Sequence, residues 1–248
     1  MAGQGVRFEE RDGIVLLVLS RPDRLNALDT STLETIAGRL EEMSRIGQAP
    51  KPLLLAAEGR VFSAGIDLAE VAGAGSPEEA ARPFRALGRA LRALLSYPAP
   101  TLAYVHGPAI AGGAELVLAT DIVLMGPGGR LEWPEVRWNI VAPLLTALAA
   151  RLGTSRLASA ALEAYRIGAD DAVALGLASR VVEGLDSAIG EAARLAGLYR
   201  DNTRAFAAML PRLRSWKMEA LDEVLPSLEG LAASMELVER ARKFIGKI

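Results

Sequence analysis

The sequence contains no cysteine and a single histidine. The absence of cysteine excludes disulfide bonds, thiol nucleophiles and thiolate metal sites. A single histidine also excludes most of the ligand sets that hold zinc in proteins. We therefore expect a protein whose chemistry uses no bound metal ion.

The chain also lacks an excess of either charge. Lys and Arg number 28 against 30 Asp and Glu, and no block of like charge is present, so we expect no nucleic-acid partner. Every longer apolar segment is interrupted before it reaches about 18 residues, and the first 13 residues do not have the pattern of a targeting signal. These features predict a soluble, cytoplasmic protein without a membrane segment, whose partner is a small molecule or another copy of itself.

The chain does contain enough apolar residues for a large core. It has 248 residues, of which 51% are hydrophobic, and we expect one large domain. Helical spacing of apolar residues predicts one helix with its cap near Thr30 or Ser31 and another that ends before Pro98. Because strands alternate with helices, the pattern predicts an α/β fold with a largely parallel sheet. The strands are predicted from short apolar runs at 13–20, 51–57, 101–107 and 121–126.

The second half of the chain is predicted to be mainly helical. After about residue 142 the only strand signal is at 178–183. Further helices are expected after Pro211, and an apolar stripe at helical spacing runs from Leu228 to Ile245. The apolar face of this stripe needs a partner on the same subunit or on a neighbouring one.

The segment "SAGID" at 63–67 is a candidate ligand-binding loop. It places Gly65 between a strand and a possible helix, where backbone N–H groups can approach a ligand closely. An ordinary tight turn is the alternative interpretation of this segment.

The segment "AIAGGAEL" at 109–116 places a carboxylate before an apolar run. Gly112 and Gly113 are predicted to open a helix, and the free N–H groups of its first turn would favour a developing negative charge. Glu115 follows Gly112 by three residues and so lies on about the same helical face. The alternative is a first-turn glutamate that only stabilises its helix.

A second carboxylate is found in "LEWPEV" at 131–136. Pro134 restricts Trp133 to an extended conformation, so Glu135 is predicted at a strand-to-helix turn facing a cleft; a solvated loop residue is the alternative. Glu132 is assigned a structural or surface role. Two carboxylates around one cavity are pushed towards different pKa values, as acid and base catalysis requires.

Together with "RPDRLNAL" at 21–28 and "GADDAVALGLASRVV" at 168–182, these segments resemble the enoyl-CoA hydratase/isomerase, or crotonase, superfamily. The resemblance covers almost the whole chain. It implies a ClpP/crotonase-like fold, with a repeated ββα spiral core over 1–195 and a helical trimerisation or lid region over 196–248. It also implies a homotrimer or hexamer in fatty acid metabolism, with an acyl-CoA thioester as substrate. No cofactor is expected to be permanently bound, because coenzyme A is part of the substrate.

The same resemblance implies roles for individual residues. Glu135 would move the proton at the α-carbon, Glu115 would orient and activate water, and the N–H groups of Ile66 and Gly112 would form an oxyanion hole. The basic segment 239–244 would also approach coenzyme A. The residues expected to border coenzyme A are Arg24, Leu25, Ala64, Ile66, Asp67 and Leu68.

The remaining side chains near these motifs are given structural roles. His106 is expected to form structural hydrogen bonds. Trp133 and Trp138 are expected to pack or to form the wall of an acyl pocket.

The segment that follows Glu135 departs from the hydratase pattern. Hydratases of this family have a Gly-rich loop there, whereas this chain has "NIVAPLLTALAARLG" at 139–153, which is closer to the isomerases. We expect an enoyl-CoA hydratase. The second-ranked function is a Δ3,Δ2-enoyl-CoA or dienoyl-CoA isomerase with Glu135 as proton shuttle. The third alternative is a crotonase-fold protein that binds CoA esters or RNA with little catalysis, its pocket filled around Val136, Trp138 and Leu144. The presence of both glutamates favours an enzyme.

Overall fold

The computed structural model describes residues 5–45 and 50–246. Its main sheet has six strands in the order β1-β2-β3-β4-β6-β9, and β5, β7 and β8 form a second sheet. The main sheet is parallel from β2 to β9, whereas β1 is antiparallel to β2. The strands are β1 Val6–Arg11, β2 Ile14–Leu19, β3 Leu53–Ala57, β4 Thr101–Val105, β5 Pro108–Ile110, β6 Ile122–Met125, β7 Arg130–Glu132, β8 Ile167–Gly168 and β9 Arg180–Val181. The predicted α/β fold with a largely parallel sheet is therefore confirmed.

Helices cover the sheets and form the carboxy-terminal part of the chain. None of the helices in the two described ranges is long and apolar enough to cross a membrane. Short 3-10 helices lie at Pro22–Arg24 and Glu135–Trp138. The α-helices are α1 Thr30–Arg45, α2 Leu68–Gly73, α3 Pro77–Ser96, α4 Gly112–Leu118, α5 Pro143–Leu152, α6 Ser155–Glu163, α7 Ala169–Ala174, α8 Gly184–Asp201, α9 Thr203–Ala232 and α10 Met235–Ile245.

Four of the five strands that the sequence predicts are largely buried, namely β2, β3, β4 and β6. The fifth, β9 within the predicted 178–183 segment, is exposed. All six residues of β2 are buried, as expected for a parallel sheet covered by helices. The sequence analysis missed β1, in which three consecutive charged residues, Glu9 to Arg11, are exposed. It also missed β5 and β7, because segments of three residues are too short to show a period.

The helix boundaries differ from the sequence expectation at three places. The cap of α1 is Asp29, whose Oδ1 accepts a hydrogen bond from the Thr32 N–H at 2.8 Å. The stripe from Leu228 to Ile245 is not one helix, because the Ser234 hydroxyl accepts the Glu236 N–H at 3.1 Å and begins α10. The third difference is at Pro211, which lies within α9. The expected division between residues 195 and 196 stays a prediction.

Pro211 lies inside α9 rather than before a new helix. A proline in a helix removes one hydrogen bond to the carbonyl four residues earlier. That carbonyl belongs to Ala207, and both Ala207 and Pro211 are exposed. Water can therefore satisfy it, and α9 continues without a break.

A buried ion pair attaches α9 to the core. The Arg214 guanidinium, 4% exposed, donates from Nε to Asp121 Oδ1 at 2.7 Å and from Nη2 to Asp121 Oδ2 at 2.5 Å. Its other N–H groups donate to the carbonyls of Leu95, Tyr97 and Ala99. Because every donor group has an acceptor, the buried charge is compensated, and α9 is fixed to the end of α3 and the start of β6.

Arg214→Met should lower the free energy of unfolding by about 3–5 kcal/mol, because it leaves the Asp121 carboxylate buried without its cation. Urea unfolding followed by circular dichroism measures this change. Arg92→Met is the matched control, since Arg92 joins α3 to Asp222 on α9 through an exposed ion pair, and its loss should cost at most about 1 kcal/mol. Equal effects of the two substitutions would contradict the role assigned to Arg214.

Candidate active site

A cavity of about 1060 Å³ lies beyond the carboxyl ends of β5 and β7. These strands pair in parallel, from Pro108 opposite Arg130 to Ile110 opposite Glu132, so the segments that follow them begin side by side. This edge of a parallel sheet is where ligands commonly bind. The residues that the sequence analysis expects to act in catalysis or to border coenzyme A all line this cavity, namely Arg24, Leu25, Ala64, Ile66, Asp67, Leu68, Gly112, Glu115 and Glu135.

The 63–67 loop lies directly against the start of α4. Gly65 has a φ of +84°, and a methyl group on it would lie 2.8 Å from the Ile110 carbonyl oxygen and 3.4 Å from the Gly112 nitrogen. The loop is held by the Ser63 hydroxyl, which accepts the Gly65 N–H at 3.1 Å. In the described part of the chain, neither the Ile66 nor the Gly112 N–H donates to a backbone carbonyl outside the regular elements. Both groups therefore remain available at the cavity, as an oxyanion hole requires.

Glu115 is buried on α4, with 1% of its surface exposed, and accepts three hydrogen bonds. Its Oε1 accepts the Trp133 indole N–H at 3.1 Å and the Leu145 N–H at 3.2 Å, and its Oε2 accepts the Leu144 N–H at 2.7 Å. Burial raises the pKa of Glu115 to about 7, and the three hydrogen bonds act against this rise. The arrangement supplies donors for a negative charge on this carboxyl group.

The two backbone donors to Glu115 belong to the first turn of α5. Pro143 begins this helix, and Ala142 provides no side-chain cap, so the following N–H groups need another acceptor. Glu115 takes the place of the missing cap. This helix lies where the sequence lacks the Gly-rich loop, and the sequence analysis missed both the helix contact and the Trp133 hydrogen bond. The available signal was a helix starting at Pro143 without a polar residue before it.

Glu135 begins the 3-10 helix that follows β7. It is 6% exposed, and its Oε2 is buried and has no hydrogen-bond partner among the described residues. Burial, and then the charge of Glu115, raise the pKa of Glu135 well above its usual value. The two carboxyl groups therefore face one cavity with opposite hydrogen-bond environments.

The mouth of the cavity carries several basic side chains. Arg24, Arg137 and Lys243 line it. Within the described ranges, none of their side chains forms an ion pair or hydrogen bond. Arg240 pairs with Glu236 and donates to the Arg137 carbonyl at 3.0 Å. The deeper wall is apolar and is built by Phe84, Leu87, Leu228 and Leu237.

Asp67 lines the cavity, but its carboxylate is already engaged. Its Oδ1 accepts the Ala69 N–H at 3.0 Å and so caps α2, and its Oδ2 pairs with Arg21 at 3.2 Å. The side chain of Asp67 therefore shapes the loop that carries Ile66.

The remaining side chains near the motifs lie around the site as follows. His106 Nε2 is hydrogen-bonded to the Gly59 carbonyl at 2.8 Å, and Glu132 pairs with Arg130 and Arg166; both are structural contacts. Trp138 lines the cavity and packs edge-on against Phe244, with 5.4 Å between the centroids of the two rings.

The alternative in which Val136, Trp138 and Leu144 fill the pocket does not match the structure. Val136 is 45% exposed and does not line the cavity, and Leu144 is buried in the core. The cavity between Trp138 and the apolar wall is open.

A sequence model of the family described as enoyl-CoA hydratase/isomerase matches residues 9–224. The chain belongs to this family. It is 30% identical over 240 residues to a Rhodobacter capsulatus protein named "Probable enoyl-CoA hydratase", covering 95% of this chain and 90% of that protein. A Thermus thermophilus protein, provisionally named an enoyl-CoA hydratase, is 34% identical over 176 residues, covering 69% of each chain.

Solved structures of the family share the fold. The crystal structure of an enoyl-CoA hydratase/isomerase from Xanthobacter autotrophicus Py2 superposes with a TM-score of 0.81 at 26% identity, covering 98% of this chain and 94% of that one. The crotonase-type fold expected from the motifs, with its sheet core and helical carboxy-terminal region, is thereby confirmed.

Gly65→Ala should lower the free energy of unfolding by about 1–3 kcal/mol, because φ of +84° and the contact with Ile110 both disfavour a side chain. Urea unfolding measures this change. Gly190→Ala is the matched control, because Gly190 lies within α8 and has open space at its Cβ position. This substitution should raise the free energy of unfolding by about 0.5–1 kcal/mol, because alanine favours a helix more than glycine does. Indistinguishable stabilities would refute the strain assigned to Gly65.

The raised pKa of Glu115 links stability to pH. Between the ordinary value of 4.5 and the folded value of about 7, the folded state binds more protons than the unfolded state, so stability falls as pH rises. As pH rises across this window, the free energy of unfolding of the wild-type protein should fall by about 3 kcal/mol relative to that of Glu115→Gln. Urea unfolding of both proteins at several pH values measures the difference. Parallel pH profiles would contradict the raised pKa.

Proposed function

We propose that the protein is an enoyl-CoA hydratase, which adds water across the double bond of a 2-enoyl-CoA. The observation that carries this proposal is the unequal hydrogen bonding of the two buried glutamates. Glu115 accepts three N–H donors, whereas Oε2 of Glu135 has no partner among the described residues. Family membership supports the reaction class.

Unequal hydrogen bonding favours different protonation states. N–H donors stabilise the ionised form of a carboxyl group, and burial beside a negative charge stabilises the protonated form. In the resting site, the ionised form is therefore favoured more at Glu115 and the protonated form more at Glu135. Hydration needs this distribution, because one group must accept a proton from water while the other delivers a proton to carbon.

The proposed reaction uses both groups in one addition. The thioester oxygen binds to the N–H groups of Ile66 and Gly112. Glu115 takes a proton from water as the water oxygen forms a bond to the β-carbon, and the double-bond electrons move towards the thioester oxygen. Glu135 delivers its proton to the α-carbon, and the two N–H groups stabilise the enolate-like charge that forms between these events. The product is a 3-hydroxyacyl-CoA.

The rest of the cavity fits an acyl-CoA. Arg24, Arg137 and Lys243 at the mouth form no ion pair within the described ranges and match the phosphates of coenzyme A. The backbone of Leu25 borders coenzyme A, and the backbone of Ala64 and Leu68 borders its adenine. The acyl chain follows the apolar wall. The reaction needs no permanently bound cofactor. We also propose a homotrimer or hexamer, supported by exposed apolar side chains such as Leu213 on α9, which is 61% exposed.

Isomerisation is the second candidate. It is favoured by the replacement of the Gly-rich loop by α5, and it requires Glu135 alone to move a proton between C2 and C4. For this reaction Glu135 must begin as the ionised base. Its burial, with no donor to Oε2 among the described residues, opposes that state, and for this reason we propose hydration as the first candidate.

Glu115→Gln and Glu135→Gln should each lower kcat on crotonyl-CoA by about a hundredfold to ten-thousandfold, because each removes a positioned base or acid. Affinity for a CoA ester should change little. Product analysis on crotonyl-CoA and on a 3-enoyl-CoA measures both reactions.

The matched control is Glu132→Gln, because Glu132 lies in the same segment but pairs with Arg130 and Arg166; it should keep near wild-type turnover. If Glu115→Gln keeps most of the activity on a 3-enoyl-CoA and Glu135→Gln loses it, the enzyme is an isomerase. Tight binding without turnover of any enoyl thioester would indicate a binding protein.

A further inference from the structure

We propose that Trp133 is a positioning residue of this site, whose indole N–H fixes the Glu115 carboxylate so that Oε2 is the oxygen that accepts the proton of water. This inference rests on the proposed hydration. It assigns to Trp133 a role beyond the packing that its sequence context indicates.

The first support is the hydrogen bond itself. Trp133 is completely buried, and its Nε1 lies 3.1 Å from Glu115 Oε1. An indole N–H can only donate a hydrogen bond. A donor of this kind stabilises the ionised carboxylate and cannot hydrogen-bond to the hydroxyl hydrogen of the protonated form.

The second support is the distribution of donors over the two oxygens. Oε1 accepts hydrogen bonds from Trp133 Nε1 and the Leu145 N–H. In the part of the chain that the structure describes, Oε2 accepts only the Leu144 N–H. Each carboxylate oxygen has about two acceptor positions. Oε1 is therefore fully engaged, and Oε2 keeps the one free position from which Glu115 can act as a base.

The third support is the place of Trp133 in the chain. It lies between the end of β7 at Glu132 and Glu135, and Pro134 holds it in an extended conformation. The segment that presents the acid therefore also presents a donor to the base. The other two donors are backbone groups of α5, so Trp133 is the side chain through which the charge and orientation of Glu115 can be tuned.

The test removes the N–H and keeps an aromatic ring. In Trp133→Phe we expect the pKa of Glu115 to rise by about one to two pH units, as the loss of a hydrogen bond to a charged group requires. Carboxyl carbon NMR of glutamate-labelled, ligand-free protein measures this pKa, with Glu115→Gln to assign the resonance. The acid limb of the pH profile of kcat on crotonyl-CoA should move to higher pH by a similar amount. The value of kcat should fall about tenfold to hundredfold, with KM nearly unchanged.

Two further variants separate the hydrogen bond from packing. Replacement of Trp133 by benzothienylalanine, which has sulfur in place of the indole N–H, should reproduce the effects of Trp133→Phe. Trp216→Phe is the matched control, because Trp216 packs against Arg151 and Lys217 away from the cavity, and it should leave the Glu115 pKa and kcat unchanged.

An unchanged Glu115 pKa in Trp133→Phe and in the benzothienylalanine protein would overturn the proposal. A pKa rise without any effect on kcat would also overturn it, since orientation of the base would then not depend on Trp133. If the wild-type protein does not hydrate any 2-enoyl-CoA, the proposed function fails. The NMR measurement needs no substrate and still reports whether Trp133 stabilises the Glu115 anion.

Discussion

The geometry of the site depends on one interaction: the first N–H groups of α5 donate hydrogen bonds to the Glu115 carboxylate. A buried charge is costly unless hydrogen bonds compensate it, and the unpaired N–H groups at a helix start need acceptors. Here each requirement satisfies the other. Glu115 belongs to α4 and its donors to α5 and to the segment after β7, so the contact that stabilises the charge also fixes three chain segments around the cavity. Stability and the geometry of the candidate site are therefore coupled at this carboxylate.

The small sheet supplies the frame for this contact. β5 and β7 pair in parallel, and the Ala111 N–H continues the ladder by donating to the Glu132 carbonyl at 2.8 Å. Glu115 and Glu135 follow these strands within a few residues. Their separation is thus determined by backbone pairing rather than by long loops, which suits the proposed hydration, in which both groups act on one substrate. The 63–67 loop joins the same frame through the pairing of Ser63 with Ala109.

The sequence was informative where local pattern and burial agree. β2, β3, β4 and β6 were predicted because they are apolar over nearly their whole length. Both glutamates were found because Glu115 closely follows two glycines and Glu135 follows a proline. β1 was missed because its exposed charges conceal its pairing with β2. The break at Ser234 was missed because one polar residue in an amphipathic pattern does not distinguish a cap from a solvent-facing position. The role of Trp133 depends on a partner 18 residues away in the chain, and no periodicity predicts such a contact.

The charged residues of β1 also have a consequence for the behaviour of the protein in a crowded cell. β1 is the outer strand of the main sheet, and an open strand edge can recruit strands from other molecules. The exposed side chains of Glu9, Glu10 and Arg11 make such recruitment unfavourable, because an incoming strand would have to desolvate them. The opposite edge ends in β9, which has only two residues and offers little to extend. The sheet is thus protected at both margins against aggregation.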